Sequence, residues 1–307
     1  MICSEGNDAV LEVIASVVVL GAAGIGAVVW RVLRRTPGQC FDSGGVDLYY
    51  TIAGQGEPVV LMHGFAVQSD LNWRLPGIIR SLAQDFTVVA LDLRGHGRSG
   101  KPHTSARYGI EMADDVVRLL DHLEIERAHV VGYSLGGFIA LKLATRHPER
   151  LISISALGAG WESPENSAFL EALSGIAIAL EQGLAVPPLA GNLGPEREKP
   201  GRLHTLWVKI MTRYLNDGEA LAAMVRGIAG ITLEREELGK IQVPVLSVVG
   251  SRDPLVVGVE AMKGLVPDHE IVTVEGADHM QAVGSPLLID SLRTFLLARG
   301  EAEFPGG

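Results

Sequence analysis

His129-Val130-Val131-Gly132-Tyr133-Ser134-Leu135-Gly136-Gly137 is the stretch from which the rest of the chain is best read. A short apolar, β-branched run leads into Gly-x-Ser-x-Gly, and a helical pattern leaves it from Leu135 through Ala144. Strand, tight turn and helix are the setting in which a serine is held exposed above the edge of a sheet. Gly132 and Gly136 have a steric part in this, because a Cβ at either place would meet neighbouring backbone. The plainer reading, a glycine-rich helix start capped by a serine, explains Ser134 but not the strand that runs into it.

Working outward, short β-type runs alternate with helical patterns. Strands are expected over residues 46–53, 58–62, 87–91, 129–133, 151–157, 243–249 and 270–274. Several of these are continuous apolar runs, as in strands buried on both faces of a parallel sheet. Residues 110–123 place Val116, Val117, Leu119, Leu120 and Leu123 on one helical stripe. Asp42-Ser43-Gly44-Gly45 marks the turn of an initial antiparallel hairpin. The class is therefore α/β. From residue 160 to 237 no strand pattern occurs, and helical segments are separated by Pro187-Pro188, by residues 191–194 and by Pro200-Gly201. The organisation read from this is a tail and anchor over 1–35, a core from 36–159 and 238–307, and a helical cap over 160–237. Apolar cap residues such as Phe169, Leu170, Ile176 and Ile178 either pack on the sheet or line a path for an acyl chain.

A serine hydroxyl is a poor nucleophile near neutral pH, so it needs a base and an acid that orients the base. The expected order along the chain is Ser, Asp, His. The run 243–249 ends in Gly250-Ser251-Arg252-Asp253-Pro254, and the run 270–274 ends in Glu275-Gly276-Ala277-Asp278-His279. Both place their polar residue at the carboxyl edge of the sheet, where open α/β sheets bind ligands. Asp253 has a competing role as a helix cap before Pro254, compatible with the first. Glu162, after the sixth strand, is the fallback acid. Of the other histidines, His122 falls on a helix, His129 at a strand start and His147 before Pro148.

Residues 58–65 (Pro-Val-Val-Leu-Met-His-Gly-Phe), residues 92–99 (Asp-Leu-Arg-Gly-His-Gly-Arg-Ser), the Ser134 turn, Asp253 and His279 together resemble the α/β-hydrolase family, over residues 38–299. The resemblance implies a mostly parallel eight-stranded sheet with helices on both faces and a helical cap. It implies Ser134, Asp253 and His279 as catalytic residues, with an oxyanion hole from the backbone N–H groups of Phe65 and Leu135. Residues 92–99 look like the family's structural loop. Members that cleave haloalkanes or epoxides carry aspartate at the turn; Ser134 favours acyl chemistry instead. Trp73 and Trp161, placed after the oxyanion loop and the sixth strand, are the candidates for pocket walls. No cofactor or metal is expected, and no Gly-x-Gly-x-x-Gly follows a strand.

The chain has 307 residues, 47% of them hydrophobic and 20% charged, with a formal net charge of −10. That composition supports a large core and disfavours both disorder and nucleic-acid binding. Two cysteines, Cys3 and Cys40, exclude a disulfide scaffold and a structural zinc site. Residues 13–30 form an 18-residue uncharged run with Ser16 its sole hydroxyl, long enough to read as one transmembrane helix. Acidic Glu5, Asp8 and Glu12 precede it and Arg31, Arg34 and Arg35 follow, the reverse of a cleaved signal peptide. The arginines place the catalytic domain on the cytoplasmic side of a single-pass membrane protein whose contact with the lipid bilayer spans residues 10–33. The expected function is a membrane-anchored serine hydrolase acting on small-molecule esters. Carbon–carbon bond hydrolysis, acyl transfer or perhydrolysis by the same triad, and a noncatalytic binding protein of the same fold, are the alternatives. Nothing in the sequence bears on oligomeric state.

Overall fold

A computed structural model describes residues 37–183 and 216–300. Eight strands form a single sheet in the order β1-β2-β4-β3-β5-β6-β7-β8. They are β1 Gln39–Asp42, β2 Asp47–Ala53, β3 Glu57–Met62, β4 Phe86–Leu91, β5 Ala128–Tyr133, β6 Leu151–Leu157, β7 Val245–Gly250 and β8 His269–Val274. β1, β2 and β4 pair antiparallel, and all the remaining pairs are parallel. Every strand expected from the sequence is present, its ends shifted by two residues at most. The first hairpin turns where the glycines allow it. Gly44 and Gly45 have positive φ, and the Gly45 amide donates to the Asp42 carboxylate at 2.7 Å.

The helices among the described residues are α1 Ile78–Leu82, α2 Ile110–His122, α3 Leu135–Arg146, α4 Ser167–Glu181, α5 Gly218–Gly227, α6 Arg235–Leu238, α7 Val256–Met262, α8 His279–Ala282 and α9 Pro286–Arg299. Side-chain alternation along the strands separates two cores. Val60, Met62, Val89 and Leu91 enter the larger cluster with α2 and α3. Val59, Leu61, Val88 and Ala90 enter the smaller one with α1 and α9. A sheet buried on both faces needs apolar residues at both phases of the pleat, which is why these strands read as unbroken apolar runs.

On α2 the predicted stripe is buried at Val116, Leu119 and Leu120, while Val117 and Leu123 pack at its margin. The apolar pattern misses Asp115, which is fully buried beneath Arg94. Arg94 Nε donates to Asp115 Oδ2 at 2.6 Å, and Arg94 also donates to the Arg107 carbonyl at 2.5 Å. A charge so far from water survives only when paired and hydrogen-bonded.

Between β6 and β7 the described residues contain helices and no strand. α4 and α5 lie against each other, with Phe169, Leu173, Ile176, Leu180 and Leu221 in the larger core cluster. Arg226 forks onto Glu181 at 2.8 and 2.9 Å across the pair. Leu170 and Ile178 point outward. Among the described residues no helix is long and apolar enough to cross a membrane. The run at 13–30 lies outside them, as does the middle of the segment read as a cap.

Candidate active site

Ser134 sits where β5 ends and α3 begins, at φ +51° and ψ −112°. An L-residue at positive φ is strained and persists only where its surroundings enforce it. Here the Ser134 amide donates to the Leu157 carbonyl at 2.8 Å, and its own carbonyl accepts from Gly137 and Phe138 at 2.8 and 3.1 Å. A Cβ on Gly132 would strike the Gly136 carbonyl, and one on Gly136 the Met62 carbonyl. Both glycines therefore have the steric job expected of them.

Asp253 and His279 come from neighbouring strands. The loops that carry them are tied by Arg252 N to Ala277 O at 3.0 Å and Gly276 N to Ser251 Oγ at 2.8 Å. His279 Nδ1 lies 2.6 Å from Asp253 Oδ2, with Asp253 1% exposed. Asp253 Oδ1 accepts from the Leu255 amide at 2.9 Å, so the orienting and capping roles coexist on its two oxygens. Asp278 is occupied elsewhere, accepting from the amides of Met280 and Gln281 at 2.9 Å each. Glu162 accepts from Asn166 Nδ2 at 2.9 Å, and burial raises its pKa; it is Asp253 that is bonded to His279.

His279 reaches back over the end of β6. Gly158, the first residue past that strand, has φ +54°, and a Cβ there would fall 3.0 Å from the Tyr133 ring and 3.3 Å from His279 Cε1. The imidazole thus lies against Tyr133, the residue before Ser134, with ring centroids 5.3 Å apart. The Tyr133 hydroxyl donates to the main-chain carbonyl of His279. Neither Tyr133 nor Gly158 is singled out by the sequence pattern. Tyr133 occupies the variable place of the turn, and Gly158 belongs to no motif.

The Phe65 loop is held from both sides. The Gly64 amide donates to Asn72 Oδ1 at 3.0 Å, and the Gly64 carbonyl lies 2.8 Å from His63 Nδ1. His63 Nε2 accepts from the Leu93 amide at 3.0 Å, which leaves Nδ1 as the donor to Gly64. Complete burial lowers the His63 pKa and favours this neutral form. A Cβ on Gly64 would lie 3.4 Å from Ser134 Cβ, which puts Phe65 next to the elbow. Leu135 is the first residue of α3, where backbone N–H groups have no partner within the helix.

Residues 92–99 brace this loop. Asp92 accepts from the Ser69 hydroxyl at 2.6 Å and from the amides of Ser69 and Arg98 at 3.0 Å each. Burial opposes ionisation of Asp92, but the Arg98 guanidinium and these donors outweigh it, and its pKa lies below the usual carboxylate value. His96 stacks edge-on against both His63 and Phe65. Of the two tryptophans expected as pocket walls, Trp161 lines an apolar cavity with Phe138, Leu141 and Phe169, and its indole N–H donates to the Leu233 carbonyl at 2.8 Å. Trp73 does not line it; wholly buried, it packs edge-on to Tyr133 in the smaller core. Its place after the Phe65 loop turns it into the smaller core, which the sequence spacing alone does not reveal.

Comparison with known proteins bears on the fold that carries these residues. A family model described as alpha/beta hydrolase fold matches residues 57–186. The chain is 32% identical over 237 residues to the dihydrolipoyllysine-residue acetyltransferase component of an acetoin cleaving system from Pseudomonas putida, covering 76% of this chain and 61% of that protein. It is 42% identical over 109 residues to a 2-hydroxymuconate semialdehyde hydrolase from Pseudomonas sp. (strain CF600), covering 34% of this chain and 38% of that protein. A carboxylesterase crystal structure from Nitrososphaera gargenis superposes with a TM-score of 0.70 at 25% identity, over 86% of this chain and 98% of that one. The chain spans between three-fifths and two-thirds of the length of the acetoin-system relatives, 61% and 64%. The family match and the superposition together give the chain the α/β-hydrolase fold, in agreement with its mostly parallel eight-stranded sheet.

Proposed function

We propose that the chain is a serine hydrolase of carboxylic esters, with Ser134, His279 and Asp253 as its catalytic residues. The observation that carries this reading is the 2.6 Å His279–Asp253 hydrogen bond beside a serine held at φ +51°. In the first half-reaction Ser134 Oγ attacks the ester carbonyl and its proton passes to His279 Nε2. Asp253 keeps Nδ1 protonated and stabilises the imidazolium. The amides of Phe65 and Leu135 receive the oxyanion, already oriented before charge develops. His279 then protonates the departing alcohol, leaving an acyl-serine. Water, deprotonated by His279, attacks that acyl group and regenerates the serine.

Residues 36–159 and 238–307 form the catalytic core in this reading, and 160–237 a cap over the substrate, with Trp161 on the pocket wall. Residues 1–35 are a tail and single-pass anchor, inserted into the bilayer through residues 10–33, with the core on the cytoplasmic side. An anchor brings lipophilic small-molecule esters within reach. Two relatives support a second reading. One is named an acetyltransferase component and another a hydrolase of a semialdehyde, a name without an ester in it. Acyl transfer or carbon–carbon bond hydrolysis would use the same serine, base and oxyanion donors.

The test is one labelling experiment in cells producing the full chain. A fluorophosphonate probe is expected to modify Ser134, with the labelled band in the membrane fraction and protected from protease added outside. Purified protein is expected to hydrolyse p-nitrophenyl esters, and Ser134→Ala to abolish both label and turnover. Label that survives Ser134→Ala rejects the nucleophile. A labelled band in the soluble fraction rejects the anchor, and one digested from outside rejects the orientation. Turnover of a carbon–carbon substrate far above any ester selects the second reading.

A further inference from the structure

We infer that Tyr133 is a positioning residue for the base: its hydroxyl, by holding the main-chain carbonyl of His279, fixes the imidazole relative to the adjacent nucleophile. The inference rests on the proposed Ser134–His279–Asp253 chemistry and adds to it a residue that the elbow motif leaves open.

The turn itself makes this contact available. Alternation alone would put residues 133 and 135 on one face, but the chain leaves the strand at Ser134, at φ +51°, and starts a helix at Leu135, so the two side chains part. Tyr133 enters the smaller core and Leu135 the larger. Tyr133 is 3% exposed, and its ring is wedged edge-on against Trp73 at 6.4 Å and 84°. From that socket its hydroxyl reaches the His279 carbonyl, while its ring lies 5.3 Å from the imidazole. Burial raises the phenol pKa, so the hydroxyl remains a donor across the working range of pH.

His279 is consequently restrained at two separate points. Asp253 holds the ring at Nδ1, and Tyr133 holds the backbone that carries the ring. The first bond alone leaves the imidazole free to pivot about Nδ1; the second fixes the backbone from which the ring springs, and the Tyr133 ring lies beside the imidazole. Gly158 completes the seat. A methyl group there would crowd the Tyr133 phenol at 3.0 and 3.1 Å and His279 Cε1 at 3.3 Å, so the strand between nucleophile and base presents no side chain where the two meet. The strand residue directly before Ser134 is thus bonded to the residue that takes the serine's proton in the proposed chemistry. Proton transfer depends steeply on such geometry, and a displacement near 1 Å costs on the order of 10² in rate.

Tyr133→Phe removes the hydroxyl and keeps the ring. We expect kcat on p-nitrophenyl acetate and the rate of fluorophosphonate labelling to fall together by about tenfold, with KM within twofold of wild type. Amide hydrogen exchange over residues 277–282 is expected to quicken about tenfold while the sheet is unchanged. Unchanged kcat, labelling and exchange would overturn the inference. So would a loss of activity accompanied by general loosening of the sheet, which marks a structural role alone. Failure of the wild-type protein to label at Ser134 would instead bring down the serine-hydrolase reading, and this inference with it.

Discussion

The two ends of the sheet each gather a serine, a histidine and a carboxylate, with the histidine bonded to the carboxylate in both. At the carboxyl end these are Ser134, His279 and Asp253. At the amino end Ser153 Oγ lies 2.7 Å from His129 Nδ1, and His129 Nε2 lies 3.0 Å from Glu57 Oε2. Residue types do not separate the two sets. Backbone does: Ser153 lies within β6 and is wholly buried, with no positive φ and no helix start beside it. Ser134 follows a strand, is held at positive φ with 9% of its surface exposed, and caps α3. His129 is fully buried between its two partners, whereas His279 has one bonded nitrogen and a partly exposed ring. A catalytic reading requires a group that a substrate can reach and donors for the charge that develops, and the helix start beside Ser134 is why the proposal rests on the carboxyl end.

The comparison is broken most severely through the two acids. Asp253→Asn keeps an oxygen for the Leu255 amide but presents the wrong partner to His279 Nδ1, so turnover should fall by roughly 10⁴ with a small change in melting temperature. Glu57→Gln should leave kcat within twofold. Steady-state kinetics and thermal melts of the two variants decide the matter. Intact turnover in Asp253→Asn would reduce that carboxylate to its capping role, and a large catalytic loss in Glu57→Gln would mean that the two ends are coupled.

How far the sequence reveals this site follows from the same contrast. The elbow was legible because a strand, two glycines and a serine must be contiguous to make it, and contiguity is what a sequence displays. Asp253 and His279 were legible through their places at strand ends, since a parallel sheet gathers those ends on one edge. Trp73 was not, because whether a tryptophan after the oxyanion loop faces substrate or core depends on how the turn at Asp70–Arg74 is wound. Tyr133 and Gly158 were illegible for another reason. Their work depends on β6 lying between β5 and β7, a matter of strand order and not of spacing. Asp115 escaped because an apolar stripe carries no sign of an arginine arriving from β4.

A smaller effect sharpens the contrast between the histidines. His96, buried against His63 and Phe65, has its pKa pushed down to about 3, first by burial and then by His63 beside it. Below its ordinary value near 6.5, the unfolded chain takes up a proton that the folded chain refuses, so stability is lost as pH falls from 6.5 toward 3. At pH 5 the loss from this one residue is about 2 kcal/mol. Thermal melts at pH 7.5 and pH 5 should show it, and His96→Gln should flatten the difference. An undiminished pH dependence in that variant would assign the effect to other groups.

The smallest expected change lies at the amino end itself. Ser153→Ala deletes the partner of His129 Nδ1 and leaves that nitrogen in a site closed to water. An orphaned buried polar group costs roughly 1–3 kcal/mol, a few degrees in melting temperature for a protein of this size. That loss is expected to stay at the amino end, because no hydrogen bond links Ser155, the next polar side chain along β6, to either set. Ser153→Ala should therefore melt a few degrees lower while its kcat and its rate of fluorophosphonate labelling match wild type. A variant that melts normally but turns over ten times more slowly would show that the amino-end series takes part in catalysis, and that burial is the wrong criterion for telling the two ends apart.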